Sequence, residues 1–160
     1  MTIYQMDKIT LHHRDCVEAM REMEDNTFDL AIVDPPYQID TINPYQGGGI
    51  MKNRALNSDK KISKWDVAPT VEYFEELMRV SKNQIIWGAN HFISKMPWDS
   101  KSWIVWDKKF SNDMSFASCE LAWTSFDKTI KKYTQSTQNP NRIHPTQKPI
   151  QLYQWIFDKY

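Results

Sequence analysis

Apolar positions along this chain follow two different periods. Over 70–80, Tyr73, Phe74, Leu77 and Met78 recur at helical spacing. Glu72, Glu75 and Glu76 come early and Arg79 late, the order a helix macrodipole favours. Ile150, Tyr153, Ile156, Phe157 and Tyr160 keep the same spacing to the last residue. Pro149 stands before them, which predicts a helix with Pro149 at its first position. Val17, Met20 and Met23 mark a shorter helix, with Asp15 as its cap and Glu18 three residues on. Before and between the helices lie short runs at 8–13, 28–33, 84–87, 103–106 and 120–125, each of strand length. Phe28–Val33 is mostly apolar, the pattern of a strand buried on both faces in a parallel sheet. Strands alternate with helices in the first half, which predicts an α/β sheet; the later strands crowd together, which predicts an antiparallel edge. Residues 38–66 show no period and hold Gly47, Gly48 and Gly49, so they read as a functional or disordered loop in a single domain spanning 1–160. No residue caps the last helix, so the chain reads as a truncated domain.

Composition narrows the functional classes. The chain has 20 basic and 20 acidic residues, so its net charge is zero and any nucleic-acid contact must be local. Lys52, Arg54, Lys60, Lys61 and Lys64 form one basic cluster, with Asp59 the acid among them. Lys128, Lys131 and Lys132 form a smaller one. Each reads either as a solvated surface or as a phosphate contact. Seven tryptophans are many for 160 residues; they fill a core, and aromatic rings also stack on bases. Two cysteines, no secretory signal and no apolar run of membrane length predict a cytoplasmic protein without a disulfide framework. His12 and His13 are adjacent, not at metal-pair spacing, and no metal is expected.

The chemistry concentrates in Asp34-Pro35-Pro36-Tyr37, directly after an apolar strand. The carboxylate of Asp34 and the carbonyl of Pro35 only accept hydrogen bonds, so together they can hold an amino group. Pro35 and Pro36 stiffen the loop, and Tyr37 offers a flat ring for a planar base. An exocyclic amine is a poor nucleophile because its lone pair is delocalised into the ring. Two acceptors can draw the nitrogen toward tetrahedral geometry and aim that lone pair at a methyl donor. Asp34 is then an orienting acceptor and not a strong base.

These residues resemble the amino-methyltransferases of DNA, in their circularly permuted beta group, known from bacteria and phages. The resemblance rests on Asp34-Pro35-Pro36-Tyr37 and on His144-Pro145-Thr146-Gln147-Lys148-Pro149. A weaker match is Asp15-Cys16, where Arg14 replaces the family's glycine. Trp65-Asp66 and Trp87-Gly88-Ala89-Asn90 are also similar to family segments, without an assigned role. The resemblance implies a Rossmann-like sheet with helices on both faces, lacking the strands that follow the last helix. It implies S-adenosylmethionine as cofactor, bound by Asp15, Cys16, Asp34, His144, Thr146, Gln147 and Lys148. Asp15 reads equally well as a helix cap. Lys148 either stabilises its loop or pairs with the cofactor carboxylate. The family's glycine-rich cofactor loop is not found in the sequence, and Gly47–Gly49, in a polar loop, cannot replace it.

The implied activity is site-specific adenine-N6 methylation of double-stranded DNA, of the kind found in restriction-modification, with the target base flipped out. Asp34, Pro35, Pro36 and Tyr37 would be catalytic; Lys52, Arg54, Lys60, Lys61 and Lys64 would meet DNA from 38–66, which would be a flexible target-binding loop. The alternatives are N4-cytosine methylation, an inactive DNA-binding fragment, and methylation of RNA or of a protein amide. A homodimer or a complementing chain would complete the sheet, whose apolar edge invites pairing.

Overall fold

A computed structural model describes residues 2–38, 66–96, 98–110, 117–136, 143 and 147–160. The 38–66 loop therefore lies, from 39 to 65, outside the described residues. The fold is mixed α/β, built on a five-stranded mixed sheet. A separate hairpin joins β1 (Thr2–Met6) to β2 (Ile9–His13). Met6 pairs with Ile9, so Asp7 and Lys8 form the turn, and Asp7 takes a left-handed φ of 48°. Asp tolerates that region better than most residues.

Helix α1 (Cys16–Arg21) follows, capped by Asp15, whose Oδ1 accepts from the amides of Val17 (2.9 Å) and Glu18 (3.0 Å). The predicted strand at 28–33 is shorter in the structure: β3 is Ala31–Val33, and Phe28 forms only an isolated bridge to Ser81. Helix α2 (Val71–Val80) is capped by the Thr70 hydroxyl and buries Tyr73, Phe74, Leu77 and Val80. Its apolar stripe is what sets this face inward. Strand β4 (Gln84–Trp87) follows, then two short 3-10 turns at Ala89–His91 and Ile93–Lys95. Strands β5 (Trp103–Asp107), β6 (Cys119–Thr124) and β7 (Lys131–Thr134) and helix α3 (Ile150–Lys159) complete the order. Pro149 is the residue before α3 and not its first helical position, a shift of one from the prediction.

The sheet order is β3-β4-β6-β5-β7. β3 pairs parallel with β4 and β7 parallel with β5, while β6 runs antiparallel to both its neighbours. The antiparallel strand is thus internal and not at an edge as predicted. Its reversal is local: β5 leads into β6, which folds back between β4 and β5.

Alternate residues of β4 divide the core. Ile86 joins Met20, Tyr73, Phe74, Leu77, Phe92 and Trp123 on the α1–α2 face. Ile85 and Trp87 join Ile104, Trp106, Leu152 and Ile156 on the α3 face. Burial on both sides explains why β4 reads as an unbroken apolar run after Gln84. Arg79 of α2 donates to the carbonyls of Met20 (2.7 Å) and Met23 (2.8 Å), which fastens the end of α1. Among the described residues no helix is long and apolar enough to cross a membrane.

Candidate functional site

One end of the sheet gathers the polar groups. Asp34 leaves the carboxyl end of β3, and Gly88 leaves that of β4. Glu120 lies near the start of β6, paired with Trp106; because β6 is reversed, its start meets the ends of β4 and β5. Ligands of open α/β sheets bind at this end of the strands.

Lys148, just before α3, reaches into the same place. Its side chain is only 4% exposed, and its ammonium donates to Asp34 Oδ2 at 2.6 Å. It lies 3.2 Å from Glu120 Oε2 and 3.5 Å from the Tyr37 hydroxyl. The rings of Trp87 (5.2 Å) and Tyr37 (5.9 Å) flank it at cation–π range. Glu120 is held from its other side by Lys108 at 2.6 Å. Burial works to raise the Glu120 carboxyl, but Lys148 and Lys108 outweigh it and hold the group below its ordinary range.

Tyr37 donates its hydroxyl to Asp34 Oδ1 at 2.6 Å. Burial first, then the Asp34 charge, drive its ionisation far upward, so it stays a donor. Each Asp34 oxygen thus already meets one donor. The Tyr37 ring stacks on His91 (centroids 5.1 Å apart, 14° between planes) and meets Phe92 edge-on. The ring is therefore a packed anchor between these neighbours. Gly88 makes room for it: φ is +66°, and a Cβ there would fall 2.2 Å from the Tyr37 ring. Gln38, next in the chain, has a left-handed φ of 57°, and its amide donates to the buried carboxylate of Asp66 at 2.8 Å. A non-glycine residue held there marks a backbone fixed by its surroundings.

Of the sequence-predicted residues, Asp34, Tyr37 and Lys148 meet directly, and Pro35 and Pro36 join the first two. Gln147 accepts from the Ile143 amide at 2.9 Å. Asp15 acts as the cap of α1, and Cys16 is exposed. Both Cys16 and Asp34 lie close enough to Tyr73 to add to the effect of its burial in raising its hydroxyl. His144, Thr146, Lys52, Arg54, Lys60, Lys61 and Lys64 lie outside the described residues. In the second basic cluster, Lys132 pairs with Asp107 at 2.9 Å and Lys128 lies 4.7 Å from the Tyr160 ring centre.

Sequence reasoning left Glu120 unassigned and gave Asp66 no role, and it did not single out Lys108 or His91. Glu120 carries no local signal, because its partners come from separate segments. No protein-family model and no curated protein matches the chain.

Proposed function

We propose that the chain forms the target-base part of an S-adenosylmethionine-dependent DNA methyltransferase acting on adenine N6. The observation that carries this reading is the meeting of its two motifs: Lys148 lies 2.6 Å from Asp34 across 114 positions. Asp34 stands at the strand end beside the ring of Tyr37, an arrangement that suits a flipped base. In this reading the Asp34 carboxylate and the Pro35 carbonyl hold the amine and aim its lone pair. Tyr37 and Lys148 keep the carboxylate oriented, which serves an acceptor better than a base.

S-adenosylmethionine would supply the electrophilic methyl group. The described residues fit its seat only in part. Lys148 is committed to two carboxylates, so it is not a free partner for a third. Asp15 spends one oxygen capping α1. The cofactor therefore rests on the motif resemblance, as do the Rossmann-like classification, double-stranded DNA as partner, a homodimeric or complementing chain, and the cytoplasmic setting.

The deciding experiment is transfer of a labelled methyl group to DNA, with Asp34→Ala as control and with a chain carrying a glycine-rich cofactor loop added in parallel. Label on adenine that the control loses supports the reading. Label on cytosine alone turns it to N4 methylation. DNA binding without transfer under either condition turns it to an inactive base-binding fragment.

A further inference from the structure

Glu120 is a partly buried carboxylate, with its Oε2 atom fully buried, that the amine-acceptor reading does not use. Its Oε1 is held by Lys108 at 2.6 Å. Its Oε2 faces the Lys148 ammonium at 3.2 Å but receives no hydrogen bond of acceptable direction among the described residues. A buried acceptor left in that state is costly, and it is ready for a donor that turns toward it. Lys148 is thus bound unequally, tightly to Asp34 and partly to Glu120.

That inequality matters because an ammonium and a ligand amino group compete for the same carboxylate. Asp34 Oδ1 already takes the Tyr37 hydroxyl, and Oδ2 takes Lys148. A ligand amine that bonds Oδ2 must displace the ammonium or share the oxygen with it. Lys148 is 4% exposed, so its charge cannot retreat into water without rebuilding the site. The groups facing it are Asp34 and Tyr37 after β3, Trp87 at the end of β4, and Glu120 on β6. Lys108 lies behind Glu120, and Tyr153 of α3 is close enough to feel both carboxylates. Glu120 alone among these offers a second negative seat.

We propose that Lys148 is a latch on Asp34, and that Glu120, steadied by Lys108, receives the Lys148 ammonium when a ligand amino group engages Asp34. This rests on the reading of Asp34 as an amine acceptor. The movement is short, because both carboxylates already lie within 3.2 Å of the nitrogen. No bond is made or broken and no proton changes owner. The Trp87 ring lies 5.2 Å from the ammonium in the arrangement observed. Glu120 is then a positioning residue that acts through Lys148.

The test follows the Lys148 ammonium by nitrogen NMR of the lysine-labelled chain, in wild type, Asp34→Asn, Glu120→Gln and the double variant. With Asp34 neutralised, Glu120 should keep Lys148 protonated. The double variant should lower its titration midpoint by about one to three pH units relative to Asp34→Asn. Equal midpoints in those two variants would overturn the proposal. Lys108→Met gives an independent check, because freeing Glu120 should raise the Lys148 midpoint; an unchanged midpoint counts against the second seat. In methyl transfer, Glu120→Gln should raise KM for DNA more than it lowers kcat, and Glu120→Asp should recover part of the loss. A fall in kcat with KM unchanged would mean that the ammonium never has to leave Asp34. If wild type transfers no methyl, the methyltransferase reading fails while the lysine titrations still decide the latch.

Discussion

Lys148 and Asp34 stand 114 positions apart in the chain and 2.6 Å apart in space. The contact joins the end of β3 to the segment before α3. Removing the cation should show what it contributes. Lys148→Met leaves the carboxylates of Asp34 and Glu120 facing the same apolar slot without their common counter-ion. Breaking a buried pair costs several kcal/mol, and Asp34 is 31% exposed, so a loss of about 2–4 kcal/mol is expected. Urea unfolding measures it; a change below about 0.5 kcal/mol would show that the ion pair adds nothing net to folding.

Gly88 makes a sharper steric demand. Alanine there must adopt φ near +66° and place a methyl 2.2 Å from the Tyr37 ring. The left-handed backbone costs an alanine about 1–2 kcal/mol, and the overlap adds about 1–3 more. Gly88→Ala should therefore lower stability by about 2–5 kcal/mol and displace Tyr37 from His91. The near-ultraviolet circular dichroism should change while the far-ultraviolet signal keeps its shape. An intact near-ultraviolet spectrum would place the Tyr37 ring elsewhere.

Tyr37→Phe separates the ring from its hydroxyl. The phenylalanine keeps the stacking on His91 and the seat on Gly88, but Asp34 Oδ1 loses its 2.6 Å donor. A hydrogen bond to a charged group is worth about 1.5–3 kcal/mol, and partial exposure of Asp34 places the loss near the lower figure. Thermal melting reads the stability. Methyl transfer, if the proposed function holds, should fall while base binding is retained, because the hydroxyl orients the carboxylate and the ring holds the base. Equal loss of both in Tyr37→Phe would show that the two roles are not separable.

Much of the frame is legible in the sequence because it is local. The apolar stripe of α2 and the strands β4, β5 and β6 announce themselves within a few residues. Asp34-Pro35-Pro36-Tyr37 ends an apolar strand, and two prolines cannot continue a ladder. What escapes is what depends on distant partners. β1 is a strand only through its pairing with β2, and its turn lacks the Asn-Gly or Asp-Gly signature. β7 is polar and exposed, so Lys131 and Lys132 read as a basic patch instead of an edge strand. Glu120 sits in a strand pattern that gives no hint of a buried ion pair, since Lys108 and Lys148 reach it from other elements. Gly88 reads as a strand terminator, and only the packed ring of Tyr37 shows its second role.

The carboxylates also set a pH dependence whose sign can be worked out. Burial opposes ionisation of Glu120, but Lys148 and Lys108 together hold its carboxyl below the ordinary value of 4.5. A group with a depressed folded-state pKa binds fewer protons when folded than when unfolded. Its stabilisation is therefore complete above the unfolded pKa and is lost as pH falls through the folded one. Wild-type stability should fall on acidification below about pH 4.5, and Glu120→Gln should show a shallower fall. The carboxyls of Glu22, Asp29, Glu76 and Asp107 are also held low by basic partners and contribute to both proteins. The difference between the two curves, and not either curve alone, reports Glu120. Urea midpoints taken from about pH 6 to about pH 3 supply it. Parallel curves would mean that burial cancels the attraction of the two lysines, so that ionisation of Glu120 adds nothing to the pH dependence of folding.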